Sequence, residues 1–253
     1  MQKHSKITEV TMRIRHKPWA KPELEACPFY IHEPQEQKGK WTSLFAEPER
    51  PLYVELGCGK GGFISQKGFL HPERNFLALD IKSEMLALAK RNVEAVYGTP
   101  AAPNIRLSAY NIELIHQILS EEDVAEDIYI NFCNPWPKTK HRKRRLTHPK
   151  QLNSYKTFLR KGGKIYFKTD DDELFRDSLE YFTQSGFSLD FVSFDIYRYE
   201  MPENIVTEHE KMFTDEGIKI KGLIAVSDGV VDRELLEMPE KMRRRGKKRN
   251  GQE

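Results

Sequence analysis

The chain has 253 residues, of which 31% are charged and 38% hydrophobic, and its formal net charge is +3. This length suits one large α/β domain with additions at its ends, and it is short for two full domains. No apolar run reaches the roughly 20 residues that a membrane-spanning helix needs, and no signal-peptide pattern opens the chain, so we expect a cytoplasmic protein without membrane contact.

Residues 1–50 carry scattered prolines and tryptophans without sustained periodicity, which predicts an N-terminal arm that is only partly ordered. After Pro51, seven segments have the apolar pattern of buried strands. The predicted strands are residues 52–56, 75–80, 105–109, 127–132, 164–168, 188–194 and 218–226.

Helical patterns separate most of these strands. The predicted helices begin near residues 61–63, 83, 112, 151, 171–173 and 208. Such alternation predicts an α/β fold with a mostly parallel seven-stranded sheet and helices on both faces. The last two strands lack a clear long crossover between them, which allows one antiparallel strand. We assign residues 51–228 to one domain and residues 229–253 to a basic C-terminal tail.

The first predicted strand runs into a glycine-rich turn. The spacing Gly57-x-Gly59-x-x-Gly62, followed about 20 residues later by Asp80 at the end of the second strand, is typical of a site for a nucleotide-like ligand. Glu55 lies two positions before the first glycine, where its carboxylate would repel a pyrophosphate and favour a sulfonium or ammonium group. We therefore expect S-adenosylmethionine rather than NAD; a glycine-rich turn without any cofactor is the remaining alternative.

Four polar residues follow consecutive strands of the predicted sheet: Glu55, Asp80, Asn111 and Asn134. Carboxyl ends of parallel strands meet at one edge of a sheet, so these side chains should lie together. Asp80 can accept hydrogen bonds from both ribose hydroxyls, and Asn111 can meet the adenine edge. Asn134 would lie nearest the methyl donor. Each of the four is also a common turn or cap residue.

Asn134 opens a loop that contains Pro135-Trp136-Pro137, in which each proline stiffens the backbone. Trp136 can then stack on a planar base or anchor the loop in the core. A basic stretch without acidic residues follows Lys138 and indicates phosphate contacts, which makes RNA or DNA the leading substrate class. Its side chains from 140 to 145 are Lys140, His141, Arg142, Lys143, Arg144 and Arg145.

Two acidic segments have capping patterns. The run Asp170-Asp171-Asp172 could suggest a metal site, but capping of the next helix is the better interpretation because no matching ligand cluster lies nearby. Thr207 and Glu210 have the spacing of a capping box. The three scattered cysteines also lack metal-ligand spacing, so we expect no metal.

These residues together resemble the bacterial tRNA (guanine-N7-)-methyltransferase family. The resemblance runs from about Leu52 to Ala225 and rests on four motifs. They are Glu55-Leu-Gly-Cys-Gly-Lys-Gly61, Pro135-Trp136-Pro137-Lys138, Phe167-Lys168-Thr169-Asp170 and Thr207-Glu208-His209-Glu210. The family implies a Rossmann-like S-adenosylmethionine-dependent methyltransferase that modifies guanosine 46 in the tRNA variable loop.

Position by position, the family implies cofactor contacts by Glu55, Gly57, Asp80, Asn111 and Asn134. It implies substrate contacts by Lys138, Asp170, Thr207, Glu208, His209 and Glu210, and tRNA contacts by the basic stretch from Thr139 to Arg145.

One position departs from the family's usual motif, which has Asp where this chain has Asn134. Guanine N7 carries an in-plane lone pair and needs no general base, so we expect Asn134 to serve in catalysis by positioning. The alternatives are a non-catalytic tRNA-binding protein on the same fold and a methyltransferase that acts on another RNA. The sequence leaves monomer and homodimer open.

Overall fold

A computed structural model of the chain describes residues 17–233. Its strands are β1 (Tyr30–Ile31), β2 (Leu52–Leu56), β3 (Asn75–Asp80), β4 (Ile105–Ala109), β5 (Ala125–Asn131), β6 (Leu159–Thr169), β7 (Phe187–Ser193) and β8 (Lys221–Ser227). Its helices are α1 (Ala20–Glu25), α2 (Gly62–Leu70), α3 (Ser83–Tyr97), α4 (Pro149–Tyr155), α5 (Asp172–Gln184) and α6 (Glu208–Asp215). Short 3-10 turns cover Pro34–Gln37, Trp41–Leu44, Ile112–Gln117 and Thr139–Arg144.

The strands form one eight-stranded sheet in the order β1-β4-β3-β2-β5-β6-β8-β7. All neighbouring pairs are parallel except those of β8, which runs antiparallel to both β6 and β7. The chain order of the strands reverses between β2 and β5. In open α/β sheets this reversal leaves a crevice above the carboxyl ends of the strands, where ligands bind. The α/β class and the late antiparallel strand are therefore confirmed.

The strand count is eight, not the predicted seven, because β1 comes from the segment predicted as an arm. Tyr30 and Ile31 pair with Leu107 and Ser108 of β4, and the Ser108 hydroxyl donates to the Ile31 carbonyl over 2.8 Å. A strand of two residues has no measurable period, so the apolar pattern could not predict it. The first 16 residues of that arm and the tail from residue 234 lie outside the described residues.

Two predicted helices differ in detail. After Asn111 the chain makes a 3-10 turn over Ile112–Gln117 instead of an α-helix, with Leu114 at non-helical φ −113° and ψ 21°. The helix predicted near residues 151–159 spans Pro149–Tyr155, with proline in its first turn where no backbone donor is needed. Residues 156–158 of the predicted helix form a turn, and Leu159 begins the long strand β6.

Apolar side chains cover both faces of the sheet. One core contains Trp41, Tyr155 and Phe175, and the other contains Phe63, Tyr129 and residues of α3. Within residues 17–233, no helix has the length and apolar character that crossing a bilayer requires. Burial of both sheet faces leaves the carboxyl edge of the strands as the place where polar side chains gather.

Candidate active site

A cavity of about 610 Å³ opens above the carboxyl ends of the central strands, at the point where the strand order reverses. Residues from both halves of the sheet line it. Of the residues predicted for cofactor, substrate or RNA, those in its lining are Glu55, Gly57, Asp80, Asn111, Asn134, Arg144, Thr207, Glu208 and His209.

The glycine-rich turn forms the β2 side of this cavity. Gly57, Gly59 and Gly61 have φ values of 81°, 53° and 74°, in the left-handed region that favours glycine. A Cβ at Gly61 would lie 2.7 Å from the Cβ of Ala89 on α3, so the turn also packs too closely for a side chain at this point. The amide nitrogens of Gly57 and Cys58 donate to the Leu79 carbonyl of β3 at 2.8 and 3.0 Å. The turn is thus defined by its glycines and the adjacent strand.

Glu55 lies at the end of β2 with 2% of its surface exposed. Its Oε1 accepts a hydrogen bond from Asn131 Nδ2 over 3.1 Å, whereas its Oε2 is buried without a hydrogen-bond partner among the described residues. Burial raises the pKa of Glu55 to about 7. A buried carboxylate oxygen without a partner that lines a cavity fits a ligand with a positively charged donor group.

Asp80 connects the second strand end to the glycine-rich turn. Its Oδ2 accepts from the Gly59 amide and its Oδ1 from the Lys82 amide, each over 2.9 Å. Burial raises the pKa of the Asp80 carboxyl above its ordinary value. Asn111 is used locally as well, because its amide oxygen accepts from the Glu113 backbone over 3.1 Å and caps the 3-10 turn. Both side chains line the cavity, and their contacts with ribose and adenine stay predictions.

The segment from Phe132 to Pro137 forms the opposite wall; we call it the Pro-Trp-Pro loop. Phe132 and Trp136 have φ values of 52° and 45°, which side chains other than glycine adopt rarely. Asn134 is exposed, and its Oδ1 accepts a hydrogen bond from the Trp136 amide over 3.0 Å. The Arg144 guanidinium lies 4.1 Å from the centre of the Trp136 ring and donates to Glu113 over 2.9 Å.

Helix α6 closes the cavity beyond the Pro-Trp-Pro loop. Thr207 caps it as predicted, since its hydroxyl accepts from the Glu210 amide over 3.2 Å. Glu210 does not complete the capping box: its side chain is fully buried and binds Lys168 Nζ at 2.5 Å and the Tyr197 hydroxyl at 2.8 Å. The His209 ring stacks 6.5 Å from the Phe132 ring. The helix and the loop are therefore packed against each other.

Several predicted residues lie away from the cavity. Asp170 lines a second cavity of about 880 Å³ beside β7 and β8, and its pKa is raised by burial. Lys138 and Lys140 are exposed outside both cavities. Arg145 was predicted as an RNA contact, but its side chain is 0% exposed, and this placement leaves no surface for a phosphate.

The sequence did not predict three buried polar residues that support the site. They are Asn131, Lys168 and Arg145, the last of which was predicted only as an RNA contact. Asn131 is a polar residue at the carboxyl end of the otherwise largely apolar strand β5, which was the available signal. Lys168 and Arg145 belong to charged residue types that are usually exposed, so composition gave no indication of their burial. Lys168 also lies 5.6 Å from the centre of the Phe132 ring, beneath the Pro-Trp-Pro loop.

With this geometry established, the chain can be compared with known proteins. A family model described as "Putative methyltransferase" matches residues 49–223. The tRNA (guanine-N(7)-)-methyltransferase of Clostridium beijerinckii is 55% identical over 219 residues, which cover 86% of this chain and 100% of that protein. The enzyme of the same name from Clostridium acetobutylicum is 45% identical over 214 residues, 85% of this chain and 99% of that protein. This chain belongs to the tRNA (guanine-N(7)-)-methyltransferase family.

Solved structures agree at the level of the fold. The 16S rRNA methyltransferase KamB superimposes with a TM-score of 0.51 at 12% identity, covering 70% of this chain and 87% of that chain. At this identity the likeness concerns the fold alone. The predicted family and methyltransferase fold are thus confirmed.

S-adenosylmethionine is the methyl donor that this family and fold imply, and the cavity suits it. The unpartnered Glu55 oxygen can accept from an ammonium group. Gly57 and Gly59 present a backbone without side chains, which a ligand can approach closely. Asp80 offers carboxylate oxygens to hydroxyl donors next to that turn.

Proposed function

We propose that this chain transfers a methyl group from S-adenosylmethionine to N7 of guanosine 46 in the tRNA variable loop. The observation that carries this proposal is the cavity itself, in which Glu55, whose Oε2 has no hydrogen-bond partner among the described residues, and the Pro-Trp-Pro loop form opposite walls. A donor held at the first wall would face a base held at the second. The relatives' names supply the nucleobase and the class of RNA.

Bound S-adenosylmethionine would supply a methyl group on a positively charged sulfur. Glu55 would hold the ammonium group of the amino-acid moiety, and Asp80 would accept from the ribose hydroxyls. Asn111 would meet the adenine edge beside the 3-10 turn that it caps. These residues bind and orient; none of them needs to move a proton during transfer.

The acceptor base would lie against the Pro-Trp-Pro loop. Guanine presents N7 and O6 as neighbouring acceptors on one edge. The Asn134 Oδ1 already accepts from the Trp136 amide, so its Nδ2 is the group left to contact the base, and it can donate to O6. Since N7 attacks with its own lone pair, alignment of N7 with the methyl group provides most of the acceleration.

The rest of the RNA would contact side chains outside the cavity. Lys138 and Lys140 follow the Pro-Trp-Pro loop in the chain, are exposed and suit phosphate groups. Thr207, Glu208 and His209 line the cavity and suit the target nucleotide. Asp170 lines the second cavity, so it would contact a part of the tRNA that lies outside the cavity at the strand ends. We assign the protein to the cytoplasm, where its tRNA substrate would be.

Transfer of labelled methyl groups to unmodified tRNA, followed by strand cleavage specific for 7-methylguanosine, tests this proposal. We expect one cut in the variable loop, and no label in a matched tRNA in which adenosine replaces guanosine 46. A cut elsewhere, or label only in another RNA, would show a different target. No label in any RNA, with tRNA binding intact, would leave the non-catalytic binding protein as the function.

A further inference from the structure

The Pro-Trp-Pro loop has an unfavourable backbone. Phe132 and Trp136 both lie in the left-handed region, at φ 52° and 45°, although neither is a glycine or an asparagine. Each such residue costs on the order of 1–3 kcal/mol and persists only when its surroundings determine the conformation. Neither residue sits in a helix or strand. The Phe132 amide is held by a backbone hydrogen bond to the Lys168 carbonyl of β6 over 2.9 Å, so the contacts that restrain Trp136 are to be sought among the side chains around the loop.

One peptide unit of this loop is held at both of its polar ends. Its N–H, on Trp136, donates to the Asn134 side chain over 3.0 Å. Its C=O, on Pro135, accepts from Nε of Arg145 over 2.6 Å. Because a peptide unit is planar, fixing both ends fixes the orientation of the Trp136 backbone and of the segment that carries Asn134.

Arg145 is in turn anchored to helix α5. Its Nη2 donates to Glu173 over 3.0 Å and its Nη1 donates to Asp177. Glu173 and Asp177 are one helical turn apart and also bind Arg142, at 2.7 and 3.2 Å. All three nitrogens of the fully buried Arg145 guanidinium are therefore used in joining the loop to the helix.

We propose that Arg145 is a positioning residue for methyl transfer: it holds the Pro135–Trp136 peptide unit against α5 and thereby places Asn134 and Trp136 toward the base. It makes no contact with RNA, in contrast to the exposed lysines of the same basic stretch. The inference rests on the proposed function, since it assigns to Arg145 a part in that reaction.

Steady-state kinetics of Arg145→Lys and Asp177→Asn, with Lys140→Met as the matched control, test this role. A lysine cannot make three hydrogen bonds in a fork, so Arg145→Lys should lower kcat by about 10- to 100-fold while the KM for tRNA stays near wild type. Asp177→Asn should lower kcat in the same way, by a smaller factor. Lys140→Met should instead raise KM and reduce the salt slope of tRNA binding by about 1, with kcat retained.

The double variant separates positioning from RNA contact. If Arg145 acts through α5, the losses of Arg145→Lys and Asp177→Asn are not additive, because both break one network. The proposal is overturned if Arg145→Lys resembles Lys140→Met, with a raised KM and a shallower salt slope. Should Arg145→Lys fail to fold, Asp177→Asn alone decides: an unchanged kcat contradicts the proposal. Absence of methylation by the wild-type chain would instead count against the proposed function.

Discussion

The two walls of the cavity are held in place by different means. On the β2 side, Gly57, Gly59 and Gly61 adopt positive φ at little cost, and hydrogen bonds to β3 complete the turn. On the other side, Phe132 and Trp136 adopt positive φ without being glycines. That wall depends on contacts outside the loop: the side chains of Arg145 and Lys168 and the backbone hydrogen bond from Phe132 to β6.

The comparison shows two ways of building a binding surface. The conformation of a glycine turn is determined by the glycines themselves, and their lack of side chains leaves the backbone open to a ligand. A loop restrained by buried ionic groups can present an asparagine and a tryptophan to a substrate, but it requires the whole supporting network. We therefore expect single substitutions outside the cavity to disturb the Pro-Trp-Pro loop. The glycine turn should be disturbed mainly by substitutions within the turn or in direct contact with it.

The largest effect should come from Lys168→Met beneath the Pro-Trp-Pro loop. Lys168 and Glu210 form a salt bridge in which the side chains are 3% and 0% exposed. Removing the lysine leaves the Glu210 carboxylate buried without its cation, so the free energy of unfolding should fall by about 3–5 kcal/mol. Chemical denaturation measures it.

The variant Lys168→Met/Glu210→Gln provides the control for this prediction. With both charges gone, much of the lost stability should return, because no uncompensated charge stays buried. A loss below about 1 kcal/mol in the single variant would mean that the ion pair does not support this wall.

Glu55→Gln, next to the glycine turn, should have a smaller effect that is specific to cofactor binding. Binding of S-adenosylmethionine, measured by calorimetry, should weaken about 100-fold, because the ammonium group loses its carboxylate partner. Unchanged affinity would remove Glu55 from the cofactor site.

The same substitution should stabilise the ligand-free protein at pH 8. Burial raises the pKa of Glu55 from 4.5 to about 7, so the folded state holds a proton that the unfolded state releases. Stability from this group is therefore present at low pH and lost as pH rises toward 7. Glutamine does not titrate, so Glu55→Gln should have the higher Tm at pH 8, and the difference should shrink near pH 5. A difference that grows toward low pH would contradict the assignment.

This contrast also explains what sequence could predict. Seven strands, the glycine turn and the strand-end positions of Glu55 and Asp80 follow from local period and spacing, and the structure has them. The burial of Arg145 and Glu210 depends on contacts 32 and 42 residues apart in the chain. A basic run predicts that Arg145 is exposed, and a capping-box spacing predicts that Glu210 lies at the exposed start of a helix. Both side chains are buried instead because of tertiary contacts that local sequence does not show.

A matched pair of glycine substitutions tests whether backbone conformation or packing on α3 determines the glycine turn. Both Gly61→Ala and Gly59→Ala place a Cβ at positive φ. Of these two, only the Cβ at Gly61 meets a neighbour among residues 17–233, Ala89 at 2.7 Å. We expect losses of about 3 kcal/mol for Gly61→Ala and about 1 kcal/mol for Gly59→Ala in thermal or chemical unfolding. Equal losses would show that conformation alone, and not packing on α3, determines the turn.

The smallest effect should come from Asn134→Asp, which exchanges the amide for a carboxylate of nearly the same shape. Aspartate still offers an oxygen to the Trp136 amide, so the loop geometry should persist. The new charge would favour the cationic purine product, while the donor toward O6 is lost, so we expect kcat to change by less than about tenfold. Asn134→Ala removes the acceptor altogether and should cost more, because the Trp136 amide loses its partner and the strained wall relaxes. If Asn134→Asp instead converts an inactive protein into an active one, asparagine is not sufficient at this position. If Asn134→Ala matches wild type in kcat, the hydrogen bond to Trp136 does not hold the wall, and the restraint comes from its other contacts, among them those of Arg145, Arg144 and Lys168.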